Sequence, residues 1–284
     1  MISLFTCLKP FGDAHMGVIQ RNALESWRRL GAGVEVIVFG DEEGVAEVCA
    51  ELGLRHVPEV ARNEFGTPLL DDMFSRGEAM ATHELVAYVN GDIILLPQLL
   101  EALEGLRDSP RRFLAVGQRT NVEVLEPVDF AADWQGWATA LARAEGVLAG
   151  PQAIDYFCWR KGTMGVLPPF AVGRVCWDNY MIWQATQAGG MLVDLTSVNL
   201  ALHQRHDYGH LAGGMQQSRT GPEAQRNLEL AGGWHHIYNI GDATHVLVDS
   251  GLRRATSLAH LRRRAFRLLQ GLKASVISPS TRLD

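Results

Sequence analysis
The chain contains no apolar run approaching the roughly eighteen residues that a membrane-spanning helix needs, although 47% of its 284 residues are hydrophobic. A transmembrane anchor is therefore not expected. The first residues lack the basic and then apolar layout of a secretory leader, because Ile2 to Leu8 reads as a strand at once. Cysteine is scarce. Cys7, Cys49, Cys158 and Cys176 lie far apart and form no CxxC, which fits reduced, buried thiols in a cytoplasmic protein. No GxGxxG follows the first strand and no GxxxxGK[ST] occurs anywhere, which disfavours a Rossmann dehydrogenase and a P-loop NTPase. Internal repeats and low-complexity tracts are absent. Acids are missing from residues 251–273, which carry Arg253, Arg254, Arg262, Arg263, Arg264, Arg267 and Lys273. Removing those seven charges from the formal net charge of −6 leaves −13 on the remainder. So acidic a body argues against general nucleic-acid binding.

What is present alternates between strand-like and helix-like stretches. Ile2 to Leu8, Val34 to Phe39 and Arg55 to Pro58 read as strands. Between the first two, Met16, Ile19, Ala23, Trp27 and Leu30 form a helical stripe. Asp41 reads as the N-cap of a helix running to Leu52. This rhythm predicts a parallel, doubly wound sheet. Leu69 to Thr82 reads as a helix and leads into the buried run Leu85 to Val89. Further strands are expected at Phe113 to Gly117, Ala153 to Trp159 and Met191 to Leu195, and Arg119 to Val124 extends or pairs with the first of these. Helices are expected at Asp133 to Gly146, Trp177 to Ala188 and Glu223 to Leu230, and one turn or two at Asp242 to Val248. In the tail, Leu258, Leu261, Ala265, Leu268 and Leu272 mark an amphipathic helix with an arginine-rich polar face. It is read as packed on its own domain or on a partner subunit. The other reading is docking on an anionic membrane surface, at the inner face of a membrane.

The run Leu85 to Val89 ends in Asn90-Gly91-Asp92. A carboxylate just past a buried strand sits where ligands bind in open α/β sheets. Asn90 offers an amide and Asp92 a hard oxygen, suited to Mg²⁺ or Mn²⁺ holding a diphosphate. The plainer reading is a turn between two strands, since Asn-Gly is a hairpin signal. The same sheet edge would gather Thr6 to Phe11, Phe39-Gly40-Asp41 and the loop holding Asn63 and Thr67. Asp178, near a helix N-terminus that favours its ionised form, is a candidate general base or simply a cap. Arg174 pairs with a phosphate or with an acid. His203, His206 and His210 do not match HExxH. One histidine completing the shell of a metal at Asp92 is chemically reasonable, with His203 the first choice and His206 the second.

This order of motifs resembles the GT-A-fold glycosyltransferases, which carry a D-x-D motif at the end of a central strand. Asn90-Gly91-Asp92 stands in that place, with Asn90 where the family has its first Asp. The resemblance implies an α/β fold with a mostly parallel central sheet, helices on both faces and a C-terminal amphipathic helix. Residues 1–250 would form the catalytic domain, with 1–118 binding the nucleotide and 119–250 the acceptor; residues 251–284 would be a basic helical tail. It implies transfer of a sugar from a nucleotide diphosphate sugar to a hydroxyl acceptor (glycan, lipid or small molecule), assisted by Mn²⁺ or Mg²⁺ and inverting. Asp178 would be the base. Asp92 with His203 or His206 would hold the metal. Thr6, Leu8, Phe39, Gly40, Asp41, Asn63, Thr67, Asn90 and Asp92 would hold the donor. Two other classes stay open: a sugar-phosphate nucleotidyltransferase and a non-catalytic nucleotide-sugar-binding protein.

Overall fold
The computed structural model describes residues 1–107, 109, 111–206 and 214–277. Strand β1 (Ile2–Cys7) leads into helix α1 (Ala14–Arg28), where the Asp13 carboxylate accepts from the Met16 amide at 2.7 Å. Then come β2 (Glu35–Phe39), α2 (Val45–Leu52), β3 (Arg55–Val57), α3 (Leu70–Met80) and β4 (Leu85–Val89). These strands are almost continuously apolar because helices cover both faces of the sheet. In β4, Leu85, Ala87 and Val89 join the core around Trp27 and Leu99. Val86 and Tyr88 point the other way, into the core around Phe74 and Trp159. A Cβ at Gly77 of α3 would fall 2.8 Å from the buried Phe5 ring, so glycine is what lets α3 seat so closely.

Asp41 is not the cap of α2. The backbone turns at Gly40 (φ 103°) and Gly44 (φ 82°), and the helix begins only at Val45. Asp41 is left exposed and pairs with Arg62 at 2.6 Å. Two glycines with positive φ let this loop fold back toward Phe11, whose amide donates to the Glu43 carbonyl at 2.8 Å.

Beyond β4 the chain divides its strands between two sheets. Next in order are β5 (Ile93–Leu95), α4 (Gln98–Arg107), β6 (Phe113–Gln118), β7 (Thr120–Val122), α5 (Trp134–Glu145), β8 (Val147–Leu148) and β9 (Ile154–Arg160). Then follow α6 (Trp177–Gln187), β10 (Met191–Asp194), β11 (Ala201–Gln204), α7 (Gly214–Thr220), α8 (Pro222–Leu230), β12 (His245–Val248), β13 (Gly251–Arg254) and α9 (Leu258–Ile277). Among the described residues the large sheet has nine strands in the order β13-β12-β10-β6-β9-β4-β1-β2-β3. It is mostly parallel: β9 runs against both β4 and β6, and β13 against β12. A small sheet, β5-β11-β7-β8, packs its own core of Ile94, Val122, Leu202, Trp134 and Ala138.

Several expectations change in detail. Residues 120–122 do not extend β6 but cross into the small sheet. The segment expected as turns from Asp242 is a 3-10 turn at Ile240–Asp242 followed by β12. The polar stretch after Thr196 contains β11, whose Ala201 and Leu202 are buried. A boundary at residue 250 falls between β12 and β13, which pair along their length, so the large sheet continues into the basic tail. No helix among the described residues is long and apolar enough to cross a membrane.

Candidate active site
Asn90-Gly91-Asp92 is the point at which the chain leaves one sheet for the other. It is a turn, with the Ile93 amide donating to the Asn90 carbonyl at 3.2 Å, but it closes no hairpin. β4 belongs to the large sheet, and β5 pairs with β11 in the small one. That second pairing sets Ala201 opposite Leu95 and His203 opposite Ile93, which delivers the histidines to Asp92. Gln204, fully buried, fixes the junction. Its amide nitrogens donate to the Asp92 carbonyl, the backbone N–H and side-chain Nε2 each at 3.2 Å, and Nε2 also donates to Ile19 O at 2.9 Å. Asn22 Nδ2 of α1 donates to Gln204 Oε1 at 3.0 Å. A buried amide whose hydrogen bonds are all made specifies one register and tolerates no slip.

Asp92 Oδ2 lies 3.0 Å from His206 Nε2 and 3.4 Å from His203 Nε2. One ligand atom from each of the three residues falls within 4.8 Å of the others, a spacing that one metal ion can bridge. Asp92 Oδ1 and His203 Nδ1 are buried with no hydrogen-bond partner. An orphaned carboxylate oxygen beside two imidazoles is what a bound cation would satisfy. Burial pushes the Asp92 carboxyl up, but the charge and hydrogen bonds of His203 and His206 outweigh it and hold it well below the usual carboxylate range. His210 lies outside the described residues.

These residues line a cleft of about 720 Å³, with Leu8, Thr67, Asn90, Arg119, Asp155, Arg174 and Asp178 on its walls. Asp178 sits on the first turn of α6, two residues after Cys176, a non-glycine residue at φ 85°. Positive φ in a residue with a side chain is a strained backbone that the surrounding fold must hold in place. The position near a helix start was expected to keep Asp178 ionised. Burial acts more strongly: together with the Asp155 charge it raises the carboxyl to about 7, against the backbone N–H groups of Asn179 and Asp178 and the Arg119 charge, which pull it down. A carboxyl titrating near neutrality is suited to taking a proton at working pH.

Asn90 faces sideways. Its Nδ2 donates to Asp155 Oδ1 at 2.6 Å, its N–H donates to Asp155 O at 2.9 Å, and Arg119 holds Asp155 Oδ2 at 2.8 Å. Arg174 does not reach for the cleft as an unpaired cation; it pairs with the buried Glu223, which also accepts from Asn63 Nδ2 at 2.7 Å. Burial raises the Glu223 carboxyl, yet its hydrogen bonds from Thr67, Asn63 and Arg174 prevail and lower it.

The remaining expected donor contacts are not among the residues that line the cleft. Thr6 and Phe39 are fully buried in the sheet, and Gly40 O accepts from His56 Nε2 at 2.8 Å. Asp41 and Asn63 are taken up by Arg62 and Glu223. The sequence reading missed Arg119, Asp155 and Gln204. Arg119 follows strand β6 just as Asp92 follows β4, so the same sheet-edge rule points to it. Asp155 is an acid in a mostly apolar strand. Gln204 carried no signal, because β11 is short and embedded among polar residues.

No family model matches this chain, and no curated protein does. Among solved structures, glucosyl-3-phosphoglycerate synthase from Mycobacterium tuberculosis in complex with UDP is 15% identical, with a TM-score of 0.50 over 82% of this chain and 81% of that one. The same enzyme in complex with Mn²⁺, UDP and phosphoglyceric acid is 14% identical, with a TM-score of 0.49 over 82% and 79%. At such identities the likeness is one of fold, and the GT-A-like α/β architecture expected above is the one observed.

Proposed function
We propose that this chain is a glycosyltransferase that moves a sugar from a nucleoside diphosphate sugar to a hydroxyl acceptor, with inversion at the anomeric carbon. The observation that carries this reading is one cleft holding two different chemical devices: a carboxylate with two imidazoles at the sheet edge, and a carboxyl titrating near neutrality on α6. A neighbour of similar fold is a synthase in complex with UDP, which supports a nucleoside diphosphate in this cleft.

One carboxylate oxygen and two imidazole nitrogens, with a further carboxylate oxygen unpaired, fit a divalent cation held by Asp92, His203 and His206. The nitrogen ligands favour Mn²⁺ over Mg²⁺. When bound, such a cation neutralises the charge of a departing diphosphate. Leu8, Asn90 and Thr67 touch the donor in this reading, and Thr6, Phe39, Gly40, Asp41 and Asn63 belong to the strands and loops that carry those contacts. Residues 1–118 then supply most of the donor side, and 119–250 serve the acceptor while lending His203 and His206 to the cation. Asp178 accepts the acceptor hydroxyl's proton as the acceptor oxygen bonds to the anomeric carbon and the bond to the diphosphate breaks.

The test is a panel of UDP-, GDP- and ADP-sugars with Mn²⁺, with and without chelator, scored for donor binding and nucleoside diphosphate release. A donor that binds and turns over only with metal supports the proposal. No binding and no hydrolysis of any donor with metal present removes it, and pyrophosphate release from a sugar phosphate and an NTP would assign a nucleotidyltransferase instead.

A further inference from the structure
Helix α9 lies against the body with its faces reversed. A surface helix ordinarily buries its apolar stripe and shows its charges to water. Here Arg263, Arg264 and Arg267 face inward. Arg263 Nε and Arg267 Nε donate to Asp242 Oδ1 at 3.0 and 2.9 Å, and the Asp242 side chain is only 3% exposed. Arg267 Nη2 also donates to Ile237 O at 2.7 Å, and its guanidinium lies 3.7 Å over the Tyr238 ring. Arg264 Nη2 donates to Ala255 O at 2.8 Å. On the opposite face Leu258, Leu261, Leu268 and Leu269 are 62%, 49%, 71% and 60% exposed, with Phe266 beside them. Rolling the leucines inward would strip Asp242 of both cations and leave a buried carboxylate unpaired, so the anchor fixes the outward face.

We infer that this leucine face docks on an anionic lipid surface. Arg262 is exposed on α9, Arg253 and Arg254 are exposed at the end of β13 just before the helix, and residues 251–273 contain no acid. Pairing α9 with a second copy would bring two such acid-free, arginine-bearing faces together, which like charges oppose. An anionic bilayer attracts the same arginines while taking up the leucines, as interfacial helices do. This inference is independent of the reaction proposed above.

The experiment is co-sedimentation of the full chain with phosphatidylcholine–phosphatidylglycerol vesicles, with phosphatidylcholine vesicles as control. Binding is expected to the mixed vesicles alone and to weaken as salt is raised. L261E/L268E replaces exposed side chains only and should lower the bound fraction by roughly tenfold or more. R254E/R262E leaves the leucines in place and should also weaken binding, by roughly tenfold for two surface charges. Failure of the wild-type chain to bind the mixed vesicles at low salt overturns the inference, and so does equal binding by L261E/L268E. A wild-type dimer in sedimentation velocity that L261E/L268E dissolves, with no vesicle binding, would make the occupant a second copy.

Discussion

Asp92 and Asp178 line the same cleft, one at the edge of the large sheet and the other on the first turn of α6, and their surroundings act on them in opposite directions. At Asp92 two imidazoles overcome the cost of burial and hold the carboxyl ionised. At Asp178 burial prevails, assisted by Asp155, and the carboxyl rises to about 7. In the proposed reaction two identical side chains thereby take two roles, a lasting anion that can hold a cation and a proton acceptor poised near neutrality. The difference is built by topology. Asp92 sits between the two sheets, where β11 supplies nitrogen ligands. Asp178 sits beside a second acid, Asp155, on the strand inserted antiparallel between β4 and β6.

The largest expected effect separates the two functions. D178N should lower turnover by roughly 10²–10⁴-fold, the usual weight of general base catalysis, with Mn²⁺-dependent UDP binding unchanged. Activity of the wild-type chain should rise with pH through about 7 as Asp178 gives up its proton. Stability should move the other way. Unfolded, this carboxyl titrates at about 4, so between about 4 and 7 the folded chain holds a proton that the unfolded chain has lost. Wild-type stability falls as pH rises across that window, and D178N escapes the loss. The variant should therefore be the more stable at pH 8, by on the order of 2 kcal/mol in thermal or urea melts, with little difference at the acid end. Loss of UDP binding in D178N would mean that the two carboxylates do not divide the work.

The next effect falls on the sheet edge alone. D92N and H206A should weaken Mn²⁺-dependent UDP binding, read by calorimetry, by roughly 10–100-fold, the range seen when a metal's ligand environment is broken. D178N in the same titration should match wild type, so one readout distinguishes the two carboxylates. If Mg²⁺ supports binding as well as Mn²⁺ does, the histidines are not ligands and the contrast between the two sites loses its chemical basis.

How much of this could be read from residues alone follows from how local each feature is. Asp92 was legible because a buried strand ending in a carboxylate is a contiguous signal, and His203 and His206 because they lie close together in the chain. The inner strands were legible for the same reason. Asp155 and Arg119 acquire their importance only when β9 inserts between β4 and β6, a pairing of segments about 40 to 70 residues apart that no local pattern encodes. Asp41 looked like a cap because it follows a strand, but Gly40 and Gly44 bend the chain away before the helix starts. The period of α9 was visible, whereas the face it turns inward depends on Asp242, a residue outside the helix.

The smallest effect tests why the first acid of the expected motif is an asparagine. Asn90 Nδ2 sits 2.6 Å from Asp155 Oδ1, so an aspartate there would set two carboxylates in contact with Arg119 on the far oxygen alone. Two such groups cannot both ionise cheaply, and one would keep its proton toward neutral pH. N90D thus makes the sequence look more like a two-acid metal motif and should still gain no Mn²⁺ affinity. It should lose roughly 1–3 kcal/mol in a urea melt, since a buried hydrogen bond is replaced by repulsion, and the loss should grow as pH rises and the second carboxyl is forced to ionise. The reciprocal pair N90D/D155N, which restores one donor and one acceptor, should recover most of that stability. Were N90D instead to bind Mn²⁺ more tightly at no cost in stability, position 90 would face the cation. Asp92 would then be one of two acids serving the metal, and Asp155 would no longer link the sheet edge to Asp178.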